Sequence, residues 1–134
     1  MYLVDTSVWI DFLRGSETQA VNFLTEALKR SVPVAITGII YQEILQGSNL
    51  ELEFKRLEKY FSTQLFLSPQ DEIKTYKLAA KIYFDCRQKG VTIRSTLDCL
   101  IAQIAMEHNS ILLHSDRDFE RIAEIYPKLK HSTG

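Results

Sequence analysis

Four acidic residues, Asp5, Glu43, Asp98 and Asp116, stand where the surrounding pattern calls for buried or helix-capping residues. Asp5 ends the short apolar run Tyr2-Leu3-Val4 and is followed by two hydroxyl residues, Thr6 and Ser7, and then by a helical pattern. A carboxylate at the carboxyl end of a buried strand lies where open α/β sheets gather their ligand chemistry. Glu43 shares a helix face with Ile39 and Ile40, a face expected to pack on the sheet. A lone ionised carboxylate there is costly without a partner or a cation. Asp98 heads the stripe Asp98, Ile101, Ala102 and Ala105, spaced as the core-facing side of a helix. Ser95-Thr96-Leu97-Asp98 also has the pattern of a capping box, so for Asp98 a cap and a site both stay open. Asp116 follows Ile111-Leu112-Leu113 much as Asp5 follows its own triplet, and Asp118 comes directly behind it. One of these last two acids is expected only to cap the next helix.

Each acid alone has an ordinary structural explanation. Together they point to one place, the carboxyl edge of a sheet and the inner ends of its helices. Carboxylates crowded at close range repel by up to about 4 kcal/mol per pair at an effective dielectric near 20, so the cluster must bind protons or cations. An all-oxygen ligand set selects a hard ion, Mg²⁺ or Mn²⁺.

The elements that must position these acids follow from apolar spacing. Short runs at Leu3-Val4, Val34-Ala35-Ile36, Leu65-Phe66-Leu67 and Ile111-Leu112-Leu113 read as four strands. Between them lie helical patterns from Ser7 to Leu13, Glu17 to Arg30, Thr37 to Gly47, Leu50 to Phe61, Asp71 to Lys89, Ser95 to His108 and Asp118 to Tyr126. The Asp71–Lys89 helix carries Ile73, Tyr76, Ala80, Tyr83, Phe84 and Arg87 along one side. Leu50, Phe54, Leu57 and Phe61 form another stripe, for core packing or for a partner helix. Short apolar strands alternating with helices predict a three-layer α/β/α fold with a short-stranded parallel sheet. The 134 residues fit a single domain spanning 1–134, with 128–134 expected to fray.

Composition narrows the function further. Apolar residues make up 46% of the chain, as a globular domain requires. Sixteen basic residues nearly balance seventeen acidic ones, so a nucleic-acid partner would need a local basic rim; Arg87, Lys89, Arg94 and Arg117 are its candidates. Cys86 and Cys99 form no metal-binding pattern. No apolar run approaches a membrane span and no signal-peptide pattern opens the chain, so a cytoplasmic protein is expected.

With these residues assembled, the sequence resembles the PIN-domain nucleases, and in particular the VapC-type toxins of toxin–antitoxin pairs. Val4-Asp5-Thr6-Ser7-Val8-Trp9-Ile10 resembles the first motif of that family, and Glu43 in Tyr41-Gln42-Glu43-Ile44-Leu45-Gln46-Gly47 falls at its second acid. Thr96-Leu97-Asp98-Cys99-Leu100-Ile101-Ala102 is similar to the third, and Ser115-Asp116-Arg117-Asp118-Phe119 to the fourth, with Ser115 where Thr is common. The resemblance implies a PIN-like fold and a Mg²⁺-dependent endoribonuclease that inhibits translation. It also implies a cognate antitoxin, a homodimer and a toxin–antitoxin hetero-oligomer. On this reading Asp5, Asp98 and Asp116 hold the metal, with Mn²⁺ an alternative, and Glu43 serves the attacking water. Thr6, Ser7 and Ser115 support the site, Asp118 acts from behind it, and Arg94 clamps phosphate. Two rivals stay open: phosphoryl transfer through an aspartyl phosphate, and a non-catalytic module that binds a partner or RNA.

Overall fold

A computed structural model describes residues 1–134, and each apolar triplet expected to be a strand is one, or most of one. The chain runs β1 (Tyr2–Val4), α1 (Thr6–Leu13), α2 (Gln19–Lys29), β2 (Val34–Ile36), α3 (Gly38–Gln46) and α4 (Glu51–Phe61). It continues through β3 (Leu65–Phe66), α5 (Glu72–Gln88), α6 (Thr96–Glu107), β4 (Ile111–Leu113), α7 (Arg117–Ile125) and β5 (His131–Ser132). The strands form one parallel sheet in the order β3-β2-β1-β4-β5. From β1 the chain steps outward through β2 to β3, whereas from β4 it steps the other way to β5. Right-handed crossovers then require helices on opposite faces. Helices α1 to α4 accordingly contact one another, as do α5, α6 and α7, giving the three layers.

The reversal of strand order falls between β1 and β4, with Val4 paired to Leu113. Their successors, Asp5 and His114, therefore leave the sheet side by side, and the Asp5 amide donates to the Leu113 carbonyl at 2.9 Å. Leu3, Val4, Leu112 and Leu113 are fully enclosed, so the two strand ends are anchored in the core. Thr37 caps α3 as expected, accepting from the Ile40 amide at 3.1 Å. Asn109 ends α6 with φ 51°, the left-handed conformation that Asn tolerates better than most residues.

Two expectations are corrected, and a third, left open between two uses, is divided between them. Residues 128–134 do not fray: Leu129 is buried, and His131 and Ser132 pair with Leu112 and Leu113 as a fifth strand. The side of α5 marked by Ile73, Tyr76 and Phe84 faces outward, with Ile73 79% exposed, while Thr75, Ala79, Ile82 and Cys86 face α6 and the core. The inward face mixes three small residues with one large one, Ile82, which is fully buried. On α4, Phe61 is buried and Leu57 packs on the core, but Leu50 is 68% exposed and Phe54 39%. No helix is long and apolar enough to cross a membrane.

Candidate active site

Asp5 leaves β1 with extended backbone and caps α1, accepting the Ser7 amide at 3.0 Å and the Ser7 hydroxyl at 2.6 Å, both on Oδ2. Thr6 turns the other way, and its hydroxyl donates to Glu43 Oε1 at 2.7 Å, tying α1 to α3. Trp9 holds this segment in place. Its ring meets Phe12 and Phe61 edge-on at centroid distances of 5.6 and 4.8 Å, so α1 is wedged against α4. Asp5 is almost fully enclosed, and burial pushes its carboxyl up from the ordinary 3.8 despite the Ser7 bonds that favour the anion. Glu43 adds to that push by like-charge repulsion.

Asp98, Asp116 and Asp118 each offer one carboxylate oxygen, and these oxygens lie within 4.8 Å of one another. Asp98 shows the strain of that crowding. Burial, then the charges of Asp5, Asp116, Asp118 and Glu43, push its carboxyl up to about 7. No side-chain bond caps α6, so the capping-box alternative for Asp98 is not used. Asp116 does both jobs. It caps α7, accepting the Asp118 amide on Oδ1 at 2.9 Å, while facing the other acids.

Arg94 occupies the centre of this edge. Its amide and Nε donate to Asp118 Oδ2 at 3.0 and 3.2 Å, and a terminal nitrogen reaches Asp116 Oδ1 at 3.0 Å. Arg121 lies 3.7 Å from the other Asp118 oxygen. Asp118, only 1% exposed, is thus a buried anion matched by two guanidinium groups, which suits a supporting acid better than a free ligand. The acids that could share one ion are therefore Asp98, Asp116 and Asp118, without the Asp5 that the sequence suggested, and Asp5 and Glu43 act on Asp98 through their charge.

Ser115 enters through its backbone: its amide donates to Ser7 Oγ at 3.1 Å, and Ser7 hands the connection on to Asp5. Arg87 lies away from the acids, over the Tyr83 ring at 5.4 Å, and lines an open apolar cleft between α5 and α6. Sequence reasoning gave no role to His114, which is fully buried, with Nε2 3.0 Å from His131 Nδ1 and Nδ1 3.2 Å from the Asp116 amide. Burial, then the neighbouring His131, pulls its pKa down to about 4.

The donor set suits a hard divalent ion. The clustered groups are carboxylates, no sulfur joins them, and a cation would offset the burial and like-charge repulsion that push the Asp98 carboxyl up. A PIN domain family model matches residues 2–125 of the chain. A VapC ribonuclease of Mycobacterium bovis is 34% identical over 126 residues, covering 93% of each chain. Ribonuclease VapC11 of Mycobacterium tuberculosis matches to the same extent. Among solved structures, VapBC-1 from nontypeable Haemophilus influenzae aligns with TM-score 0.74 at 20% identity, over 98% of this chain and 96% of that one. VapBC2 from Rickettsia felis, bound to a DNA fragment from its promoter, aligns at 0.71 with 22% identity and the same coverage. A fold shared at that level, and a family model running from the first strand to the last helix, lead to one conclusion: the chain belongs to the PIN domain family.

Proposed function

We propose that this chain is a Mg²⁺-dependent endoribonuclease, the toxin of a toxin–antitoxin pair, which hydrolyses RNA phosphodiester bonds and so inhibits translation in the cytoplasm. One observation carries the proposal: Asp98, Asp116 and Asp118 present carboxylate oxygens within 4.8 Å of one another, and burial, then the charges of Asp5, Asp116, Asp118 and Glu43, push the Asp98 carboxyl up to about 7. The names of the curated relatives, VapC ribonucleases, support the same activity.

Asp5, Asp98 and Asp116 are the residues that would hold the ion, with Mn²⁺ able to substitute. A bound divalent ion supplies charge neutralisation at the scissile phosphate and a more acidic attacking water. Glu43, aimed by the Thr6 hydroxyl, orients that water or takes its proton. Asp118 keeps Arg94 at the mouth of the site. The guanidinium, 73% exposed, is free to trade its contact with Asp116 for a substrate phosphate. Arg117, the first residue of α7, adds positive charge to this rim. Two apolar surfaces support the assemblies the reading requires. The α5–α6 cleft, about 690 Å³ and lined by Tyr76, Tyr83, Phe84 and Leu97, suits a homodimer contact. Leu50 and Phe54 on α4 suit an amphipathic antitoxin segment.

The test is cleavage of total RNA by the purified chain in Mg²⁺, in EDTA, and after Mn²⁺ is added back. Discrete new 5′ ends should appear in Mg²⁺, vanish in EDTA and return with Mn²⁺. Cleavage undiminished in EDTA, or no cleavage of any RNA in either ion, would overturn the proposal.

A further inference from the structure

The turn that carries Asp116 is held by successive backbone amides from two sides. The Ser115 amide donates to Ser7 Oγ, on the Asp5 side. The Asp116 amide donates to His114 Nδ1 at 3.2 Å. An amide N–H can only donate, so Nδ1 carries no proton and the ring proton sits on Nε2. From there it is donated to His131 Nδ1 at 3.0 Å. The two rings stack at 28°, and Phe119 closes the other side of the His114 ring at 5.2 Å. The backbone of His114 is attached to the same strand, its amide donating to the Ser132 carbonyl at 3.0 Å.

We propose that His114 is a positioning residue for Asp116, and that the two-residue strand β5 exists in part to hold it through His131. An apolar side chain would fill the pocket as well as an imidazole does. What it would lack is the acceptor that claims the Asp116 amide and fixes which way that carboxylate leaves the turn. The arrangement is a local side-chain acceptor for the amide two residues on, of the kind Asn and Asp provide, with the difference that its far end is tethered to another strand. Loss of such an indirect support typically weakens metal affinity about 10- to 100-fold. The proposal rests on Asp116 being a ligand, so one of its tests must not depend on any metal.

Three full-length variants separate positioning from space filling. His114→Phe keeps a buried aromatic ring, somewhat larger than imidazole, and removes the acceptor; His114→Asn keeps an acceptor at the Nδ1 position; His131→Ala removes only the tether and, lying on an exposed residue, spares the core. In metal-free protein, hydrogen exchange at the Asp116 amide should be slow in wild type and His114→Asn, and faster in His114→Phe. In His131→Ala it should be faster by a smaller factor. Mn²⁺ affinity measured by calorimetry should fall about tenfold or more in His114→Phe and by less than threefold in His114→Asn, although both variants lose thermal stability. Equal protection of the Asp116 amide in wild type, His114→Phe and His131→Ala would overturn the positioning role. So would Mn²⁺ affinities that follow melting temperature alone. Failure of the wild-type chain to bind Mn²⁺ at all, with the exchange pattern intact, would instead sink the metal reading and leave His114 as the holder of the turn.

Discussion

The Asp98 carboxylate should cost the metal-free protein stability, and replacing it by Asn should return that stability while removing a ligand. In the folded chain its carboxyl titrates at about 7 against the ordinary 3.8. Between those values the folded state keeps a proton that the unfolded chain has released, so stability declines as pH rises through this window and levels off above 7. At about 1.4 kcal/mol per tenfold in proton affinity, the full gap is at most ~4 kcal/mol. Asp98 is only part-buried, and solvent screening cuts this to ~1–2 kcal/mol. For a chain of this size that is a rise in melting temperature of roughly 4–8 °C for Asp98→Asn at pH 8. At pH 4 the wild-type group is largely protonated, and the two proteins should melt together. Adding Mg²⁺ at pH 8 should raise the wild-type melt and leave the variant unmoved, closing the gap. Thermal melts at pH 4, 6 and 8, with and without Mg²⁺, read all of this. A variant less stable than wild type at pH 8, as loss of a helix cap would make it, would refute the reasoning.

Arg94→Ala should lower the melting temperature at neutral pH, because Asp118 stays buried with only Arg121 at 3.7 Å and the residue-94 amide to match it. Adding Asp118→Asn to that variant should recover part of the loss, and a double-mutant cycle in which the two changes simply add would contradict the pairing. Ser7→Ala removes the hydroxyl that links Asp5 Oδ2 to the Ser115 amide, and should cost about 1 kcal/mol by denaturant unfolding. Since the Ser7 hydroxyl favours the Asp5 anion, the same variant should shift the pH dependence of Mg²⁺ binding upward; an unchanged profile would show that Asp5 does not titrate with the site.

Much of the candidate site is legible in the chain because its acids break local rules. Asp98 heads a core-facing stripe, and Asp5 and Asp116 both end buried triplets, so each is conspicuous against period and burial alone. The parallel three-layer fold follows from the same triplets. What is not legible depends on partners distant in sequence. Asp118 reads as a spare cap until Arg94, 24 residues away, is seen to neutralise it. His131-Ser132 carries no strand signal, since its pairing with Leu112 and Leu113 is made by backbone alone, and without β5 the contact between His114 and His131 is invisible too. The orientation of α5 misleads for a different reason. Three of its large apolar residues, Ile73, Tyr76 and Phe84, lie outward, while on the inward side Ile82 is joined only by Thr75, Ala79 and Cys86, which give little periodic signal.

The most direct test of the four-acid site is the single isosteric change Asp5→Asn. Asn keeps an oxygen to accept the Ser7 amide and hydroxyl, so α1 stays capped. Mg²⁺-dependent RNA cleavage by this variant should be lost while its melt stays within a few degrees of wild type. Cleavage at the wild-type rate by the folded variant would contradict the account.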